Sequence, residues 1–231
     1  LVSADLSLDI DMSFLPGKNK ISSATIHNFQ IGLNKMHGSV KLGENGIYHA
    51  KFFGPHLNIN QIMSDTLHSN ELQEPYFIEA NFDDVFLWDL PPIKETALTI
   101  KNFGQYKSNM KLIGNVGNKP LNITSWLKDE IREFRLSARD AGQILQGFEI
   151  SDSISDGLLK IDGKITGTGL KEVTKTNILI ENFGVNIRTD GTITFGLFID
   201  AISKFSSIFN ICIMSGPPEL GGPIDIIVYP L

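Results

Sequence analysis

The chain has 231 residues, 42% of them hydrophobic and 20% charged, with 20 basic against 26 acidic side chains and a net charge of −6. This balance excludes wholesale disorder, collagen and coiled coil, and a net-acidic chain is a poor tracker of phosphates, so no nucleic-acid partner is expected. One cysteine, Cys212, rules out an internal disulfide, and no Cys/His spacing suits a structural zinc.

The chain begins at Leu1 without a signal segment, so it reads as a piece of a longer protein. From Val2 to Phe14 the parity is perfect. Val2, Ala4, Leu6, Leu8, Ile10, Met12 and Phe14 alternate with Ser3, Asp5, Ser7, Asp9, Asp11 and Ser13, ending at Pro16-Gly17. Such alternation predicts a strand with one dry and one wet face, roughly 40 Å long at about 3.3 Å per residue. Shorter alternations follow at Met36 to Leu42, Tyr76 to Phe82, Leu98 to Ile100, Arg132 to Ala138, Leu159 to Ile165 and Ile178 to Ile187. Turn signals stand at Gly43 to Gly46, Asp156-Gly157, Asp162-Gly163 and Asp190-Gly191, which predicts an antiparallel, mostly meandering sheet.

Two helices are predicted. Asp140 stands where an N-cap acid would, with Gln143 three residues on and Gly147 as a stop, giving a helix over about 141–147. From Gly196 to Cys212, Leu197, Ala201, Ile202, Phe205, Ile208 and Phe209 recur at spacings of three and four, an amphipathic pattern. Residues 61–72 suggest a weaker helix, and Trp126 to Glu130 a single turn. The string Ile-x-Asn-Phe occurs at Ile26, Ile100 and Ile180, and is read as a repeated sheet unit with a bulge, its phenylalanines Phe29, Phe103 and Phe183 on the apolar face.

No chemistry stands out. The five histidines, His27, His37, His49, His56 and His68, lack metal-site spacing, the row Asp5, Asp9, Asp11 lacks the turn of a calcium loop, and no nucleophile elbow or phosphate loop is present. The chain is therefore expected to be no enzyme and to need no cofactor or metal. Two predicted helices are too little cover for so many amphipathic strands, so the dry face must be closed by a sandwich, by a barrel, or by a trough occupied by lipid.

The stretch Phe134 to Phe148, with Ala138, Asp140, Gly142, Ile144, Leu145 and Gly147, followed by Ile154 to Gly163, resembles the AsmA-like C-terminal region of bacterial envelope proteins. The likeness covers about residues 131–210. The turn Asp156-Gly157 stands where that family often has two glycines, and Arg188 to Gly191 where a proline-containing loop is usual. The resemblance implies a mainly β fold, a long curled antiparallel sheet forming a β-groove with two short helices packed on it. A strand-rich segment, 1–125, would be followed by an AsmA-like segment, 126–231. It further implies the periplasmic part of an inner-membrane-anchored protein. That part would shield phospholipid acyl chains for intermembrane lipid transport and outer-membrane biogenesis, with membrane contact through other parts of the parent chain. Groove lining would fall to Val2, Leu6, Leu8, Ile10, Met12, Phe14, Leu159, Ile161, Ile178, Ile180 and Val185, with Phe205 and Phe209 as a cap. The alternative is a non-enzymatic structural or adhesion β-sandwich module with no lipid ligand.

Overall fold

The computed structural model describes residues 6–18, 20–60, 74–87, 89–103, 108–128, 131–166 and 173–185. The strands in chain order are β1 (Leu6–Phe14), β2 (Ile21–Ile31), β3 (Asn34–Leu42), β4 (Tyr48–Asn58), β5 (Tyr76–Phe86), β6 (Ile93–Asn102), β7 (Ser108–Val116), β8 (Lys119–Lys128) and β9 (Ile131–Ala138). After them come α1 (Ala141–Gly147), β10 (Ile154–Ser155), β11 (Leu158–Thr166), β12 (Val173–Glu181) and β13 (Gly184–Val185). Eleven strands form one sheet in the order β1-β2-β3-β4-β5-β6-β7-β8-β9-β11-β12, and β10 pairs with β13 in a separate two-stranded ribbon.

Alternation sets the register. One apolar row crosses every strand of the large sheet: Ile10, Ile26, Gly38, Phe52, Ala80, Leu98, Leu112, Ile123, Leu136, Ile161 and Ile178 stand opposite one another in turn. A polar row runs beside it on the other face, through Asp11, Thr25, Ser39, Lys51, Glu79, Thr99, Lys111, Thr124, Arg135, Asp162 and Asn177. Because side chains alternate with a period of two, a slip of one residue at any join would send the apolar row to the wrong face.

Several expectations are corrected. The sheet is mixed, not antiparallel throughout: β4 and β5 run parallel from Tyr48 opposite Tyr76 to Asn58 opposite Phe86. The chain between them is long enough for the crossover of about a dozen residues that a parallel pair requires. Among the described residues the edges β1 and β12 do not pair, so the curled β-groove and the barrel give way to one open eleven-stranded sheet. Among the described residues one helix, α1, packs on that layer rather than two. The segments 61–72 and 196–212 lie outside the described residues.

Local expectations change as well. Asp162-Gly163 is not a turn but the middle of β11, opposite Arg135 and Phe134. A Cβ at Gly163 would overlap the Phe134 ring, so the glycine serves a close approach across the strands. Trp126 to Lys128 continue β8 instead of forming a helical turn. The Ile-x-Asn-Phe repeat dissolves. In β2 the extra residue His27 forms a bulge that keeps Ile26 and Phe29 on one face, as Ile10 and Leu8 opposite them show. Phe103 and Phe183 instead lie beyond the ends of their strands and are 61% and 40% exposed.

The core covers the apolar face from β4 to β12, and its most deeply buried part lies under α1. Ile123, Leu136, Leu159 and Ile161 of the sheet are completely buried, as are Ile144 and Leu145 of α1, and Phe148 and Ile150 after it are 1% exposed. Leu87 and Leu90 close the same cluster, and Leu90 fits against Gly147, where a Cβ would overlap it.

Local chemistry fixes α1. Asp140 accepts from the backbone N–H of Gln143 at 3.1 Å, and Gln143 Nε2 donates to its other carboxylate oxygen at 2.9 Å. The first helical N–H groups, Ala141 and Gly142, donate to the carbonyls of Gly157 and Asp156 at 3.0 and 3.1 Å. Those carbonyls are presented by two residues in the left-handed region, Asp156 at φ 55° and Gly157 at φ 88°. Lys119 Nζ lies 2.6 Å from Asp156 and 3.1 Å from Asp140, tying β8 to the cap. Hydrogen bonding to Asp156 and then to Asp140 raises the Lys119 pKa.

Candidate functional site

The residues expected to line a groove fall into two groups that the fold keeps apart. Leu6, Leu8, Met12 and Phe14 of β1 are 68%, 58%, 55% and 53% exposed, and Ile10 between them is half-buried. Leu159, Ile161 and Ile178 are buried in the core at the opposite end of the sheet, and Ile180 packs partly buried against them. Val185, in β13, is 45% exposed. Val2, Phe205 and Phe209 lie outside the described residues.

The lipid-shielding reading is therefore corrected by the architecture. A trough needs a continuous concave apolar wall, whereas this apolar face is filled by α1 and the loop residues Leu87 and Leu90 at one end and is flatly exposed on β1 at the other. Between the two is a bounded cleft of about 330 Å³ over the middle strands, lined by side chains such as Met36, Phe52, Ile78, Leu98 and Met110.

The polar face has its own order. Acid and base stand directly opposite each other across neighbouring strands: Lys51 with Glu79 at 3.3 Å, His56 with Asp84 at 3.5 Å, Arg135 with Asp162 at 2.5 Å and Lys164 with Glu133 at 2.9 Å. Opposite charges at directly facing positions stabilise a strand pair and set its register. The lysine at Lys164 holds the Glu133 carboxyl below its ordinary range, and hydrogen bonding to Asp162 raises Arg135.

At β1 the order breaks. Asp9 faces Asn28 and Asp11 faces Thr25, so neither acid has a base opposite it. Asp11 meets only the bulged His27, at 2.9 Å, which raises the His27 pKa through that hydrogen bond. Ser7 accepts from Asn28 Nδ2 at 2.8 Å. The sequence alone has Asp9 and Asp11 as a solvated row, and the signal it lacks is the acid and base pairing seen across β4–β5 and β9–β11 on this face.

Among the described residues no three His, Cys, Asp or Glu side chains gather as a metal site would require. His37 stacks on Phe53, His49 meets the edge of Phe77 and His56 lies against Phe86, so these three histidines pack against aromatic rings. No described helix is long and apolar enough to cross a membrane. Comparison with known proteins finds no matching family model, no matching curated protein and no matching solved structure.

Proposed function

We propose that the chain is a non-enzymatic structural or interaction module, a single open β-sheet that engages another macromolecule and carries no lipid. The observation that supports this reading is the apolar face running through all eleven strands, its central row buried from Leu112 to Ile178 while Leu6, Leu8, Met12 and Phe14 of β1 are exposed. A bare apolar strand at the rim of a sheet presents unpaired backbone groups and side chains that neighbouring molecules can use. The acid and base pairs of the polar face then serve register and solubility, not proton transfer.

Native mass spectrometry of the purified chain tests this reading. The expected spectrum contains the protein with no phospholipid bound. A stoichiometric phospholipid that survives purification overturns it.

A further inference from the structure

We infer that the outer edge of β1 receives a strand donated by another protein, in which apolar residues alternate with lysine or arginine. This rests on the interaction reading above and names the chemistry of the partner. Among the described residues no strand pairs with β1 on the side away from β2, so the backbone N–H and C=O groups of alternate residues along its nine face outward there. β1 has no proline and no lysine, the residues that commonly blunt such an edge.

Both faces of β1 specify what an added strand must carry. On the apolar face Leu6, Leu8, Met12 and Phe14 are all more than half exposed, so the added strand places apolar side chains beside them. On the polar face Asp9 faces Asn28 with no base opposite it and Asp11 has only the bulged His27 beside it, whereas Glu79, Asp84, Glu133 and Asp162 each face a base directly across the strands. The nearest lysines on that face, Lys35 and Lys41 of β3, stand two strands away opposite Gln30 and Ser23, so neither faces Asp9 or Asp11. Basic residues facing Asp9 and Asp11 would repeat the acid and base pairing that β4–β5 and β9–β11 already show.

A second copy is the wrong partner for this edge. Two β1 strands paired antiparallel about Ile10 would set Asp9 of each against Asp11 of the other, and like charges directly opposite destabilise a pair.

The experiment uses the whole chain and two synthetic nine-residue peptides, one alternating valine with lysine and one alternating valine with glutamate. Binding is read by fluorescence anisotropy and its place by hydrogen exchange. The lysine peptide is expected to bind and to slow exchange across Leu6 to Phe14, with the glutamate peptide roughly tenfold weaker, the effect of two exposed ion pairs made or replaced by repulsion. The double variant Asp9→Lys and Asp11→Lys, at two exposed positions that leave the core untouched, is expected to reverse the preference. Equal affinity for both peptides, protection confined to other strands, or self-association through β1 in sedimentation overturns the inference. A chain free of phospholipid that fails to discriminate the peptides defeats this inference alone, whereas bound phospholipid defeats the reading beneath it.

Discussion

The two ends of the sheet are built from the same kinds of residue and differ in what lies on them. β1 alternates Leu6, Leu8, Ile10, Met12 and Phe14 with polar residues, and β11 alternates Leu159, Ile161 and Ile165 with Lys160, Asp162 and Lys164. Yet the leucines of β1 are more than half exposed while Leu159 and Ile161 are fully buried. The difference comes from α1, from Leu87 and Leu90, and from the chain around Phe148, all of which belong to the buried cluster and none of which reaches β1. Alternation decides which face of a strand is apolar, and only tertiary cover decides whether that face is dry.

The largest test of this contrast removes volume from the covered end. Leu136→Ala deletes a completely buried side chain of β9 in the apolar row and is expected to cost about 2–5 kcal/mol in urea unfolding. A loss under about 1 kcal/mol would mean that the cover is loose. Next is the cap that holds α1 in place. Asp140→Ala removes the acceptor for Gln143 and one partner of Lys119, with an expected loss of about 0.5–2 kcal/mol. Asp140→Asn should recover most of it, since asparagine also caps.

At the bare end the same leucine-to-alanine change should do little. Leu8→Ala is expected to alter stability by less than about 0.5 kcal/mol, because its side chain is already 58% exposed. A loss equal to that of Leu136→Ala would erase the contrast. Smallest of all is the pH response of the His27 and Asp11 pair. Facing Asp11 and Asp9, His27 has its folded pKa raised above the ordinary value. Its contribution is therefore present below the unfolded histidine value and lost as pH rises through the raised one. Proton NMR titration of His27 should show the raised value, and Asp11→Asn should bring it back down.

The sequence makes some of this legible and leaves the rest closed, for physical reasons. Alternation from Leu6 to Phe14, Met36 to Leu42, Tyr76 to Phe82 and Arg132 to Ala138 is a local signal, and each stretch lies within a strand. The cap at Asp140 is equally local, a side chain bonding to a backbone three residues away. The parallel pairing of β4 and β5 is not local, since a period of two is the same whichever way a strand points. Asp162-Gly163 has the composition of a turn, and only the ring of Phe134 on the neighbouring strand explains why glycine stands inside β11. The hairpin between β7 and β8 turns through Gly117 at φ 55° and Asn118 at φ 65°, a two-residue signal that the strand rhythm alone passes over. For the candidate site, sequence could place Leu8 and Leu159 on apolar faces but not at opposite ends of one sheet. Nor could it show that Asp9 and Asp11 are the acids left without a facing base.

The parallel step between β4 and β5 also bears on how the chain reaches this state. Most neighbouring strands are joined by short connections, so each can zip onto the last at small entropic expense. β4 and β5 must find each other across a long stretch of chain, and closing a longer loop slows a search even when it barely changes the final stability. That seam predicts assembly in two cooperative blocks. β5 to β12, which hold α1 and most of the buried cluster, are expected to form first, with β1 to β4 adding in a later phase that stopped-flow refolding would resolve as a second exponential.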